Sequence, residues 1–124
     1  MWHYTVAQNA LDIEHDCELL PGGWGTDGPG VYLTDLAPSA DRHGISVVLW
    51  NQWRPRSMEA FVGLPFIAGE MVPSRRHPHV WVVKKSELRL TGLEDPEIGF
   101  WQGSDPSAAN DQGTWLRRPV PGCR

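Results

Sequence analysis

The sequence predicts a small α+β protein, and three observations carry that prediction. Its 124 residues are the length of a single domain around one hydrophobic core. Scanned for apolar spacing, the chain offers five or six short β-prone runs against one clear helical pattern. Thirteen Gly and eleven Pro argue against a helical bundle or coiled coil, because each residue type breaks or weakens a helix interior. Seven of the twelve aromatic residues are Trp, which argues against a disordered chain.

Trp2 to Val6 alternates large and polar residues and reads as a first strand. Gln8 to Leu20 then places Ala10, Ile13, Cys17 and Leu20 at spacings of three and four, the apolar stripe of a short helix, which Pro21-Gly22-Gly23 stops. Pro21 to Gly30 holds five Gly and two Pro in ten positions and reads as a loop free to take positive φ. Val31-Tyr32-Leu33-Thr34 is an abrupt β-prone run closed by Asp35 and Pro38. Ile45 to Trp53, with Val47, Val48, Leu49 and Trp50 in succession, is the strongest strand signal in the chain. Phe61 to Ile67, Val80 to Val83 and Glu87 to Leu90 are the remaining strand candidates, and Trp50, Trp53 and Trp81 are expected to fill the core between sheets. Residues 94–124 carry four Pro and four Gly and read as an irregular tail pinned to the body by Trp101 and Trp115, with a flexible linker as the competing reading.

A formal net charge of −4 provides no basic footprint of a nucleic-acid-binding module. Cys17 and Cys123, at opposite ends and without Cys-x-x-Cys spacing, make a zinc site or a disulfide-dense scaffold improbable. No apolar run reaches the length of a membrane span, and Met1-Trp2-His3-Tyr4-Thr5 lacks the features of a secretory signal. A soluble, cytoplasmic protein is expected, or one delivered into a target cell as part of a larger secreted protein.

Polar residues at strand ends beside flexible loops are where sites tend to be built. His3, Tyr4 and Thr5 lie on the first strand, and Tyr32, Thr34 and Asp35 end the strand that leaves the glycine-rich loop. Read without further context, Tyr32 is half-buried β surface, His3 a satisfied histidine and Asp35 a turn or cap residue. In order along the chain, however, His3-Tyr4-Thr5, a short helix, a Gly-rich loop and Gly28-Pro29-Gly30-Val31-Tyr32-Leu33-Thr34-Asp35 resemble the ADP-ribosyltransferase superfamily. The nearest resemblance is to the bacterial polymorphic-toxin family with a His-Tyr-Asp signature. The second block is also similar to poly-ADP-ribose polymerases, which carry Gly-Lys-Gly-Ile-Tyr-Phe-Ala-Asp. The resemblance spans residues 1–93 as a catalytic domain and leaves residues 94–124 without a counterpart.

The resemblance implies an α+β, split and strongly bent β-sandwich core with one early helix and an NAD+ cleft between its halves. His3 would bond a ribose hydroxyl, the main chain of Tyr4 would pair with the nicotinamide carboxamide, and Tyr32 would stack on the nicotinamide ring. Thr5 belongs to the same NAD+-binding block, and Ser39 matches a carboxamide-binding serine with a spacing one residue shorter. His3, Tyr32 and Asp35 form the expected catalytic set. Most of the superfamily has a Glu where His77-Pro78-His79-Val80-Trp81 aligns His79, so the acidic partner is expected to be Asp35, with Glu70 as the alternative. The missing Glu argues for transfer of a single ADP-ribose rather than chain elongation.

The implied activity is mono-ADP-ribosylation by a toxin that consumes NAD+ as substrate, needs no metal and modifies a protein or nucleic acid, with an immunity protein as a further partner and no membrane. Two rivals remain: a catalytically inactive NAD+-binding or interaction domain of the same fold, and a plain β-rich interaction domain. Trp24 in the Gly-rich loop could cover the NAD+ site, and Arg75-Arg76-His77 could meet a phosphate, although a solvated loop is the ordinary fate of such a cluster. His77-x-His79 lacks a third metal ligand.

Overall fold

A computed structural model of the chain describes residues 1–25 and 27–123, with the side chains at positions 23–25 and 121 outside the description. It is an α+β fold built on one long antiparallel sheet. The sheet follows the order β10-β9-β5-β1-β4-β7-β6, with β3 paired to β4 off this path. Its strands are β1 (Trp2–Thr5), β3 (Gly22–Gly25), β4 (Gly28–Thr34), β5 (Ala60–Gly63), β6 (Val72–Pro73), β7 (Val80–Val83), β9 (Glu97–Gln102) and β10 (Thr114–Pro119). A two-residue ribbon joins β2 (Glu18–Leu19) to β8 (Leu88–Arg89).

Strand alternation gives the sheet two apolar faces. Ala60 and Val62 of β5 join Val31, Leu33 and Ile98 in a core covered by α1 (Ala7–Asp16) through Ala10 and Ile13. Phe61, between them in sequence, points to the other face, where Tyr4, Met58 and Ile45 of α2 (Arg42–Trp50) form a second core. Helix α1 ends earlier than its apolar stripe suggests. Cys17 turns left-handed at φ 56°, its N–H closing on Ile13 O, and Glu18–Leu19 leave in the extended ribbon with Leu19 buried. A left-handed non-glycine residue costs about 1–2 kcal/mol. Cys17 is held by a disulfide to the buried Cys123, the two Cα atoms 5.3 Å apart. A single disulfide across 106 residues is thus present where spacing alone spoke only against a disulfide-dense scaffold.

The second helix corrects the strand expected over residues 45–53. The side chain of Asp41 accepts from Gly44 N at 2.9 Å and caps the helix start. Asn51, at φ 59°, ends it. Between the caps Arg42, Ile45 and Ser46 turn inward at helical spacing, while Val47 and Val48 face solvent. The β-branched run therefore decorates a helix surface, and tertiary packing overrides its strand preference.

The tail expected to be irregular supplies β9 and β10 and so completes the same sheet as residues 1–93. β9 pairs with β5 from Ala60↔Phe100 to Gly63↔Glu97, and β10 pairs with β9 along its whole length. As expected, Trp101 and Trp115 anchor it, packed edge to face at 5.2 Å. The 103–113 connection is tied down by the Asp111 carboxylate, which accepts from Trp101 Nε1 at 2.7 Å and Asp105 N at 3.0 Å. Buried Arg42 adds a link from α2, donating to Met58 O and Pro106 O with its guanidinium 4.2 Å from the Trp101 ring.

Composition misleads here because glycine serves close approach rather than flexibility. A Cβ on Gly99 would lie 2.1 Å from the Phe61 ring. Gly99→Ala is expected to force that ring off its contacts with Tyr4 and Trp115 and to cost about 2–3 kcal/mol. Urea unfolding of wild type and variant measures this, and equal midpoints would show the ring free to move.

Candidate functional site

The sheet opens between β1 and β4. β1 pairs with β5 over four positions but with β4 only through Trp2↔Thr34. Met1 O accepts from Leu64 N on the β5 side, so strand alternation directs the main chain of Met1, His3 and Thr5 toward β5. The main chain of Trp2 and Tyr4 is directed toward β4, and Tyr4 lies past the single paired position. A cleft of about 500 Å³ occupies this region, lined by Trp2, His3, Tyr4, Gly22, Gly30, Tyr32, Leu33, Thr34 and Val80 from the sheet.

His3 bridges the split. Its Nδ1–H donates to the carbonyl of Tyr32 at 2.8 Å, joining residues 29 apart in sequence. A carbonyl can only accept, so this bond places the proton on Nδ1 and leaves Nε2 with its lone pair. Burial holds the imidazole below its ordinary pKa, partly opposed by the Tyr32 carbonyl. The ring is therefore neutral, with an acceptor at Nε2.

Tyr32 is anchored at its far end: its hydroxyl donates to Gly28 O and accepts from Asp27 N. Gly30 allows this strand to approach β7, since a Cβ there would lie 2.9 Å from Val83 O. The side chain of Tyr4 turns away from the split. Its hydroxyl donates to Leu36 O at 2.7 Å, and burial raises the phenol above its ordinary pKa.

The opposite wall was not legible in the sequence. Leu49 and Trp50 of α2, Arg54 and His77 complete the lining. Arg54 is the single Lys or Arg among these residues. Its guanidinium lies 5.5 Å from the Trp50 ring, and the Gln52 side-chain oxygen, in the amide orientation that satisfies both groups, accepts from it at 3.0 Å. His77 ties the β6–β7 loop to α2. Its Nδ1 accepts from His79 N, so Nε2 carries the proton and donates to Val48 O at 2.7 Å. The loop is also held to the β3–β4 turn, where Ser74 Oγ donates to Asp27. Helical spacing of Arg42, Ile45 and Leu49 was the available signal that residues 45–50 form a wall rather than a strand.

Of the expected site residues, His3, Tyr4 and Tyr32 come together at the cleft. Thr5 lies at the end of β1 with Oγ1 accepting from Asn9, on the α1 side. Ser39 is exposed in the turn before α2, its hydroxyl accepting from Asp41 N and its carbonyl from Trp115 Nε1. Asp35, just past β4, accepts from His79 Nδ1 at 3.0 Å, both side chains over 40% exposed. Thus the acidic candidate and the histidine aligned with the superfamily Glu pair with each other outside the lining. Glu70 pairs with Lys85 beside a separate depression. Among the described residues that line the cleft none is acidic.

Trp50 and Trp53 pack partly buried against the α2-side core and Trp81 against the α1-side core, while Trp50 also lines the cleft and Trp53 donates to Ser107 O. The idea that Trp24 covers the site falls outside the described side chains. Among the described residues no three His, Cys, Asp or Glu side chains are grouped to hold a metal ion, and no helix is long and apolar enough to cross a membrane.

Fold and site together define a small α+β protein whose cleft opens within a single antiparallel sheet, between a histidine strand and a tyrosine strand. Comparisons of the chain with protein-family models, with curated proteins and with solved structures find no match.

Proposed function

We propose that the chain is a mono-ADP-ribosyltransferase that binds NAD+ in this cleft, breaks its nicotinamide–ribose bond and transfers ADP-ribose to a macromolecule. The observation that carries this reading is the His3–Tyr32 bond across the split: the two residues that bear the sequence resemblance meet at the cleft between β1 and β4. His3 Nε2 is free to accept from a ribose hydroxyl, the Tyr4 main chain faces the split for the carboxamide, and the Tyr32 ring is a stacking surface for nicotinamide. Arg54 supplies a cation for the diphosphate. A cleft shared by His3 and Tyr32 also disfavours a plain β-rich interaction domain. The disulfide favours delivery through an oxidising compartment over a cytoplasmic life, because cytosolic thiols are kept reduced.

Incubation with labelled NAD+ and lysate is expected to release nicotinamide and label an acceptor, and Tyr32→Ala is expected to abolish both. No release by the wild-type protein rejects the enzyme. The lack of an acidic lining residue favours a second reading, NAD+ binding without turnover, which calorimetric binding without nicotinamide release would establish. Arg54→Ala is expected to raise KM for NAD+ about 10- to 100-fold with kcat little changed, because a charge-assisted bond to the diphosphate is made equally in ground and transition states. Steady-state kinetics separates the two constants.

A further inference from the structure

The charges of this acidic protein are unevenly distributed. Asp12, Glu14, Asp16 and Glu18 lie on α1 and its exit, across the sheet from α2 and the cleft. Among the described exposed cations, Lys85, Arg89, Arg117 and Arg118 each have a carboxylate partner, whereas Arg54, Arg56, Arg75, Arg76 and Lys84 have no ion pair. One of these five lines the cleft and two more lie on the loop that supplies a lining residue. Arg54 lines it, and Arg75 and Arg76 precede the lining residue His77 on the β6–β7 loop.

That loop is built to present them. Ser74 Oγ accepts from the main-chain N–H groups of Arg76 and His77 at 3.2 Å, and Asp27 accepts from Ser74 Oγ and Arg75 N. His77 fastens the loop to α2. Both arginine side chains project to solvent from a turn held at three points. The nearby carboxylates are engaged, Asp27 by Ser74 and Asp35 by His79. Two exposed arginines on a main-chain-braced loop, next to a residue lining a cleft that contains Trp50 and Tyr32, combine cations with stacking rings, as single-strand nucleic-acid sites do.

Resting on the transferase reading above, we propose that the acceptor is a single-stranded nucleic acid, with Arg75 and Arg76 on its phosphates and Trp50 stacked on a base. In the transfer an amino or hydroxyl group of the strand bonds to ribose C1′ as the C1′–N bond to nicotinamide breaks. Nicotinamide leaves neutral with the bonding pair, and the acceptor's proton passes to solvent.

The test is fluorescence anisotropy of a labelled mixed-sequence single-stranded RNA over a salt series, with wild type, the double variant Arg75→Ala/Arg76→Ala and the double variant Arg75→Lys/Arg76→Lys. Each phosphate contact to a single strand contributes a slope of about −0.7 in log affinity against log salt, so the alanine variant is expected to lose roughly 25-fold at ~0.1 M salt and about 1.4 of slope. The lysine variant keeps both. NAD+ affinity by calorimetry stays unchanged in all three. Absence of RNA binding by wild type at low salt, or identical slopes for wild type and the alanine variant, overturns the proposal. So does a fall in NAD+ affinity with RNA binding intact, which assigns the arginines to the dinucleotide. Because RNA binding is read without turnover, failure of the transferase reading appears separately, as absent NAD+ binding and nicotinamide release.

Discussion

Cys123→Ser is expected to lower the stability of the folded protein by about 3–5 kcal/mol, and a reducing agent should do the same to the wild type. The bond closes 106 residues, nearly the whole chain, so its removal restores much conformational freedom to the unfolded state. For a loop of ~100 residues the chain-entropy term alone is about 4.7 kcal/mol, with residual structure in the unfolded chain reducing it. The folded state also loses a restraint on Cys17, whose left-handed backbone at φ 56° joins α1 to β2. Near the chain end, the exposed Arg118–Glu14 pair also links β10 to α1, but a surface pair contributes at most about 1 kcal/mol. Thermal melts of wild type with and without reductant, beside the serine variant, provide the measurement. Coincident melts in all three would show that the disulfide does not hold the fold. The cleft is assembled mainly from β1, β4, β7 and α2, so below the lowered melting point NAD+ binding is expected to persist.

Replacement of His3 is the second large effect. His3→Ala removes both the group that spans the split and the acceptor that the proposed function assigns to a ribose hydroxyl. Loss of one preorganised hydrogen bond of this kind costs on the order of 10²–10³ in kcat/KM. The pH dependence has a defined sign. Burial lowers the folded-state pKa of His3 below 6.5, so the folded protein resists protonation more than the unfolded chain does. Stability is therefore at its full value above pH 6.5, falls as the unfolded chain begins to take up the proton and stops falling once the pH is below the depressed folded value. The proposed activity is expected to fall over the lower part of that window, because protonated Nε2 can no longer accept. His15, held above its ordinary value by Asp16, acts in the opposite sense. The difference between wild type and His3→Gln isolates the His3 contribution. Urea midpoints taken at about pH 7.5 and about pH 5 should diverge more in wild type than in the variant, and equal divergence would place the His3 ring in solvent.

These expectations draw unequally on sequence and structure. β1, β4, β7 and most of α1 were legible because alternation and helical spacing are local properties of the chain. Residues 45–53 were misread because their β-branched content is also local, whereas the features that make them helical act together in space: the Asp41 cap, the left-handed Asn51 and the inward stripe from Arg42 to Ser46. The tail was misread for a related reason. Four glycines look flexible in a composition count, but Gly99 and Gly113 have no room for a side chain against Phe61 and Trp101. Arg54 and Trp50 carried no motif, and they reach the cleft only because α2 packs over the split.

By itself, the sequence determined the fold class, the first helix and the identity of the His3 and Tyr32 strands, since apolar period and motif order are written along the chain. Tertiary structure decided which residues meet. It joined Cys17 to Cys123 across 106 positions, brought His3 Nδ1 to Tyr32 O and set the imidazole tautomer. It also sent Asp35 to His79 rather than into the cleft. The physical reason is that strand register and helix docking fix distances between residues far apart in sequence, and hydrogen bonds and proton positions depend on those distances.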